Sequence, residues 1–201
     1  MHNRQQTLFN EDKHFELENG RLDLWQEPFV YDDNTFEKLR DQLAWREDSM
    51  TILGTEIAVP RLNVMYGDKG LNYTYSNVRF TTLPWTKELL DLKRKVEDFC
   101  ECSFNSVLCN YYRDGRDSVA WHSDDEPELG EDPTIASLSF GSTRKFQLKH
   151  KFKNMLALNL ELGDGALLLM SGAVQKNYLH QVPKSKRCHT GRINLTFRTI
   201  Q

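Results

Sequence analysis

From Ser106 onward, short runs of alternating apolar and polar side chains are separated by Gly, Asp and Pro. That period of two predicts strands over residues 106–113, 134–140, 144–149, 156–160, 165–170, 178–182 and 192–199. Many short strands at this spacing suggest a sandwich or jelly roll. Upstream the period is helical. Phe36, Leu39, Leu43 and Ala44 would share one helix face, with Asp33 or Asn34 as cap. After Pro84 and Trp85, Thr86 caps a second helix with the apolar stripe Leu89, Leu92, Val96 and Phe99. Both helices are expected to brace a sheet, giving a mainly β fold with flanking helices. A short strand is expected near residues 27–31, and the polar residues 1–20 are expected to be a loosely ordered extension. No repeat, low-complexity tract or Gly/Ser linker interrupts residues 21–201, which read as one domain.

Composition narrows the class without naming it. The 201 residues suffice for one enclosed core, and 39% hydrophobic with 27% charged residues is ordinary for a globular chain. The longest apolar run, 166–170, is far too short to span a bilayer, and the opening segment lacks a signal-like apolar stretch. The expected location is therefore the cytoplasm, or a nucleus where there is one, with no membrane partner. Four cysteines without a CxxC pair fit a reducing compartment. The net charge of −3 is unevenly spread, because residues 141–201 carry eleven Lys and Arg against two Asp and Glu. A basic C-terminal third can supply a local phosphate-binding surface.

The chemistry concentrates in three residues, His122, Asp124 and His180. On an extended chain, positions i and i+2 face the same way, so His122 and Asp124 can present an imidazole and a carboxylate to one ion. His180 can return on a neighbouring strand as a third ligand. Two histidines and one carboxylate on one face of an octahedral metal leave open positions, which suits Fe(II) binding a chelating cosubstrate and O2. Zinc is the competing metal. By itself, His-x-Asp also reads as a surface turn capped by Asp124.

The terminal strand adds a second element. Alternation puts Arg192, Asn194, Thr196 and Arg198 on one face and Ile193, Leu195 and Phe197 on the other. If the polar face lines an interior, two guanidinium forks can hold the two carboxylates of a dicarboxylic acid. An ordinary half-buried strand with its polar face in water is the alternative. Asn110 and Tyr112 share a face by the same alternation and could complete the polar pocket.

In this order, Asn-x-Tyr, His-x-Asp, His and Arg-x-Asn-x-Thr-Phe-Arg resemble the AlkB dioxygenases, over about residue 60 to the C-terminus. The resemblance implies a double-stranded β-helix whose jelly-roll core covers about residues 106–201. It implies Fe(II) on His122, Asp124 and His180, with 2-oxoglutarate held by Asn110, Tyr112, Arg192, Asn194, Thr196 and Arg198. The implied reaction is oxidative dealkylation of N-alkylated bases of the 1-methyladenine and 3-methylcytosine type in DNA, with O2 consumed and formaldehyde, succinate and CO2 released. A base stacked in a duplex is out of reach, so it must be flipped out.

Residues about 50–80, with Val59-Pro60-Arg61 and Tyr73-Thr74-Tyr75-Ser76, resemble the family's nucleotide-recognition lid, which adds Arg61 to the substrate contacts. Tyr75 is expected to stack on the flipped base and Tyr73 to touch a phosphate or base edge. Asp125 resembles the residue that reads an exocyclic amine, although a solvated charge is an equal reading. Leu53 sits where duplex-specific members place an apolar finger, without the aromatic tip expected there. Lys184, Lys186 and Arg187 could grip backbone phosphates without sequence choice. The expected partner is DNA with alkylated bases, single- or double-stranded, or RNA, bound by a monomer. An RNA or protein demethylase on the same core, and a metal-binding jelly roll without turnover, are the alternatives.

Overall fold

A computed structural model describes residues 12–52, 55–75, 78–153 and 155–201, without side-chain detail for 50–52, 55–56, 72–75 and 78–81. In chain order the elements are β1 (Lys13–Leu17), β2 (Gly20–Trp25), α1 (Thr35–Gln42), β3 (Arg46–Ile52), β4 (Thr55–Gly67), β5 (Asn72–Tyr75) and β6 (Val78–Thr81). There follow β7 (Leu83–Pro84), α2 (Lys87–Cys100), β8 (Ser106–Tyr112), β9 (Val119–His122), β10 (Ile135–Gly141), β11 (Arg144–His150) and β12 (Leu156–Leu162). The chain closes with β13 (Leu167–Gly172), α3 (Val174–Asn177), β14 (Tyr178–Val182) and β15 (Arg192–Arg198).

Two antiparallel sheets carry the site. The larger runs β1-β2-β13-β10-β15-β8-β4-β3, with β7 beside β4, and the smaller runs β12-β11-β14-β9. This is the mainly β, jelly-roll arrangement that the resemblance implies, one of the two that the alternation allows. β15 is central, flanked by β10 and β8, and every one of its residues is buried. Ile193, Leu195 and Phe197 pack with Leu89, Leu92 and Val96 of α2 and Leu39 of α1, so the helices cover the outer face of the large sheet. Each fully buried Leu or Val in that layer contributes about 1.5–3 kcal/mol of transfer free energy. A second cluster, including Leu108, Phe146, Leu148, Leu168 and Met170, fills the space between the sheets.

Local sequence explains α2 and only part of α1. The Thr86 hydroxyl accepts from the Leu89 amide at 3.2 Å, the expected cap, and Glu101 ends α2 in the left-handed region. Phe99 is 38% exposed and completes its face against Trp25 and Phe29. Asn34 precedes α1 without a side-chain cap bond, and Ala44 lies beyond the helix end, where its amide donates to the Tyr66 hydroxyl.

The expected cap of α1 and the place of Ala44 on its face are therefore not met, and two further expectations are corrected. Residues 27–31 form no strand. Phe29 and Tyr31 are spent on ring contacts with Phe99 and Phe140, Val30 is 82% exposed, and Pro28 has no amide to donate to a ladder. Within the supposedly loose residues 1–20, Lys13–Leu17 pairs with β2, because Phe15 and Leu17 pack against the inter-sheet core.

Candidate active site

His122 is the last residue of β9, and β9 is the edge of the small sheet. Its strand partner is His180 on β14, so pairing register alone brings two residues 58 apart in sequence into contact, with ring centroids 4.2 Å apart. Asp124 follows just past the strand end and is 1% exposed. One oxygen lies 3.9 Å from His122 Nε2 and the other 3.9 Å from His180 Nε2. These separations exceed a hydrogen bond. The three groups are gathered, with their ligand atoms within 4.8 Å of one another, yet they do not bond each other.

Protonation favours a metal there. His122 Nδ1 lies 2.8 Å from the Ala120 carbonyl, which can only accept, so Nδ1 carries the hydrogen and Nε2 presents its lone pair inward. Burial, followed by the neighbouring His122, pushes His180 down to about 3 and so keeps its imidazole neutral. His122 is lowered too, chiefly by burial. Burial pushes the Asp124 carboxyl up, but Arg198, His180 and His122 outweigh it and hold the group well below the usual carboxylate range. Two neutral imidazoles and one carboxylate with space between them fit a divalent ion of the Fe(II) type. Phe146 stacks on the His180 ring at 5.4 Å and fixes its plane.

The inward face of β15 meets this cluster. Register sets Arg192 beside Tyr112, Asn194 beside Asn110 and Arg198 beside Ser106. Arg192, Asn194, Thr196, Arg198, Asn110 and Tyr112 therefore line one cleft with the two histidines and Asp124. Arg198 Nη2 lies 2.8 Å from Asp124 Oδ1. Asn194 Nδ2 donates to Ser137 Oγ, and Thr196 Oγ1 donates to Asn194 Oδ1.

At the other end of the strand, Arg192 is 1% exposed. Its Nη2 donates to Ser139 Oγ at 2.9 Å, its guanidinium lies 5.3 Å from the Tyr112 ring centre, and Nε and Nη1 meet no acceptor among the described residues. Burial pushes this guanidinium down to about 10, partly offset by the Tyr112 phenol. A buried cation with open donors and, among the described residues, no carboxylate beside it is a socket for an anion. The donor set fits one carboxylate of 2-oxoglutarate.

The other expected residues divide. Arg61 is buried, lines the cleft and donates through Nε to Asn110 Oδ1 at 2.7 Å, tying β4 to β8. Asp125 points away, with its carboxylate 2.8 Å from Lys151 Nζ beside a neighbouring depression. Lys184, Lys186 and Arg187 line a separate open groove with Lys145 and His189. Tyr73 and Tyr75 lie on β5, their side chains outside the described set, and Leu53 lies outside the described residues altogether.

Sequence reasoning missed Arg144, which is 2% exposed and donates to the carbonyls of Asp114, Asp117 and Pro183. It also missed Gln175, whose Oε1 accepts from the Asp124 amide. Neither sits in a motif. Their roles arise only where distant segments meet.

A family model described as the 2OG-Fe(II) oxygenase superfamily matches residues 32–198. The chain belongs to that superfamily. Within it, the chain falls among the AlkB homologues. It is 42% identical over 177 residues to alpha-ketoglutarate-dependent dioxygenase alkB homolog 3 of Bos taurus, covering 84% of this chain and 61% of that protein. It is 35% identical over 178 residues to DNA oxidative demethylase ALKBH2 of Mus musculus, covering 84% and 74%. The chain thus spans about three fifths of the length of the alkB homolog 3 relatives. A solved structure of OsALKBH1 superposes with TM-score 0.58 at 17% identity, covering 93% of this chain and 100% of that one, which supports the fold. Among the described residues, no helix of this AlkB homologue is long and apolar enough to cross a membrane.

Proposed function

We propose that this AlkB homologue is an Fe(II)- and 2-oxoglutarate-dependent dioxygenase that removes alkyl groups from base nitrogens in nucleic acid, with 1-methyladenine and 3-methylcytosine in DNA as its substrates. The carrying observation is the convergence of His122, Asp124 and His180 on a cleft whose far end holds Arg192 with open donors. In this reading Nε2 of each histidine and the Asp124 carboxylate hold the metal. Arg192, Tyr112, Asn110, Asn194, Thr196 and Arg198 hold 2-oxoglutarate. Bound Fe(II) supplies the coupling of 2-oxoglutarate decarboxylation to O2 activation, so that N–CH3, O2 and 2-oxoglutarate become N–H, formaldehyde, succinate and CO2.

The chain's own residues do the positioning. Arg198 fixes the Asp124 carboxylate, which leaves the Nε2 lone pairs and one carboxylate aimed at a single point. Arg192 would neutralise one carboxylate of the cosubstrate where water is excluded. Arg61 presents a further cation at the wall nearest β4 and can meet the incoming nucleotide. Tyr73 and Tyr75 serve the base and phosphate from the lid, and Leu53 fills the stack, whereas Asp125, turned to Lys151, takes no part in reading the base in the cleft. Lys184, Lys186 and Arg187 take backbone phosphate in their groove, as the relatives' action on DNA supports. The protein acts as a monomer in the cytoplasm or nucleus.

The test measures formaldehyde and succinate with Fe(II), ascorbate and 2-oxoglutarate on methylated single-stranded DNA, duplex DNA, RNA and a methylated peptide. Coupled release on DNA is expected. Release only on RNA or peptide moves the substrate assignment, and no coupled formaldehyde on any of them removes the demethylase reading.

A further inference from the structure

Asp124 occupies an awkward position for a metal ligand. His122 and His180 are locked by strand pairing, but residues 123–126 belong to no strand or helix. A carboxylate on an irregular segment needs other anchors if it is to keep its place. The Arg198 guanidinium holds the carboxylate end. The backbone end is held by Gln175, whose Oε1 accepts the Asp124 amide at 3.0 Å in a fully buried bond. An amide N–H can only donate, so the carboxamide must present its oxygen there and turn its nitrogen away. Gln175 Nε2 meets Met170 Sδ at 3.4 Å, which fixes that orientation. Gln175 is 1% exposed and sits in α3, the single helical turn that leads directly into β14 and His180.

The geometry points to Gln175 as a positioning residue for the metal centre, clamping the Asp124 backbone so that carboxylate and His180 arrive as one unit. The inference rests on the metal reading given above. One short segment, α3 with β14, thereby delivers the second imidazole and the anchor of the carboxylate together. Partners that orient metal ligands typically govern affinity by about 10–100-fold.

The experiment titrates Co(II) into the metal-free full chain and follows its visible absorption, for wild type, Gln175→Leu, Gln175→Met and Gln175→Glu. Removing the acceptor in the Leu and Met variants is expected to weaken Co(II) binding about 10–100-fold. The 2-oxoglutarate KM at saturating metal should stay within about threefold, since no cosubstrate contact changes. The Glu variant keeps an oxygen at the same reach and is expected to recover most of the affinity. Unchanged Co(II) affinity in whichever of the Leu and Met variants folds overturns the assignment. So does a Glu variant as weak as those two, because that pattern belongs to a merely structural glutamine, as does a loss of metal-free melting temperature with intact affinity. If wild type binds no Co(II), or Asp124→Ala binds it equally well, the metal reading itself fails, and the clamp with it.

Discussion

Replacing Arg192 by methionine should make the cosubstrate-free protein more stable while nearly abolishing its use of 2-oxoglutarate. The guanidinium is 1% exposed, donates to Ser139 among the described residues, and is pushed down to about 10 by burial. Relative to a solvated arginine, that depression corresponds to a cost on the order of 3 kcal/mol. Methionine fills similar space without a charge, and the Ser139 hydroxyl loses one donor, a penalty of about 1 kcal/mol. A net gain of about 1–3 kcal/mol follows, seen as a melting temperature several degrees higher in a chain of this size. The same change removes the two open donors, each worth about 1.5–3 kcal/mol toward a carboxylate. The 2-oxoglutarate KM should therefore rise by about 10²–10⁴, and 2-oxoglutarate should no longer raise the melting temperature. Thermal shift with and without 2-oxoglutarate, together with succinate kinetics, reads both arms. A variant that melts several degrees lower without cosubstrate, or keeps its KM within about threefold, would refute the view of Arg192 as an anion socket.

Asp124→Ala and His122→Ala should each abolish Co(II) absorption and succinate release while circular dichroism stays native, and retained turnover in either would overturn the ligand assignment. Replacing Lys184, Lys186 and Arg187 together by glutamine should lower the slope of log K against log salt for single-stranded DNA by about 2, at roughly 0.7 per phosphate contact. An unchanged slope in a fluorescence anisotropy titration would take that groove out of the interface. Gly115→Ala should destabilise the fold by about 1–3 kcal/mol in urea titration, because the new Cβ would lie 1.8 Å from the Ser185 carbonyl oxygen. A neutral result would mean that the 183–188 segment yields easily.

Much of the site was legible where period and function coincide. On β15 the alternation separates Ile193, Leu195 and Phe197 from the four polar residues as the pattern predicts, and the structure sends the first set to the helices and the second inward. β8 behaves likewise for Asn110 and Tyr112. Alternation was silent on which polar faces meet water. Arg61 and Asn63 on β4 are 6% and 4% exposed, yet their spacing would suit a solvent face equally well. β9 is four residues long, too short for its own periodicity, and only the His-x-Asp chemistry marked it. Gln175 and Arg144 escaped because the backbone groups they hold, the Asp124 amide and the carbonyls of Asp114, Asp117 and Pro183, lie 27 to 51 positions away, a relation created by sheet closure that no local window contains. Asp125 shows the converse, since adjacency to Asp124 suggested a shared cleft while the irregular segment after β9 turns it toward Lys151.

Arg144 has a consequence for the basic groove. Its guanidinium grips the Pro183 carbonyl, while Gly115 exchanges amide and carbonyl bonds with Cys188 and Ser185, so the segment bearing Lys184, Lys186 and Arg187 is stapled down at both ends. A stapled cationic segment meets a polyanion already shaped, surrendering little chain entropy on contact. Its share of the affinity should follow counter-ion concentration, and calorimetry should find almost no heat-capacity signature of coupled ordering from it.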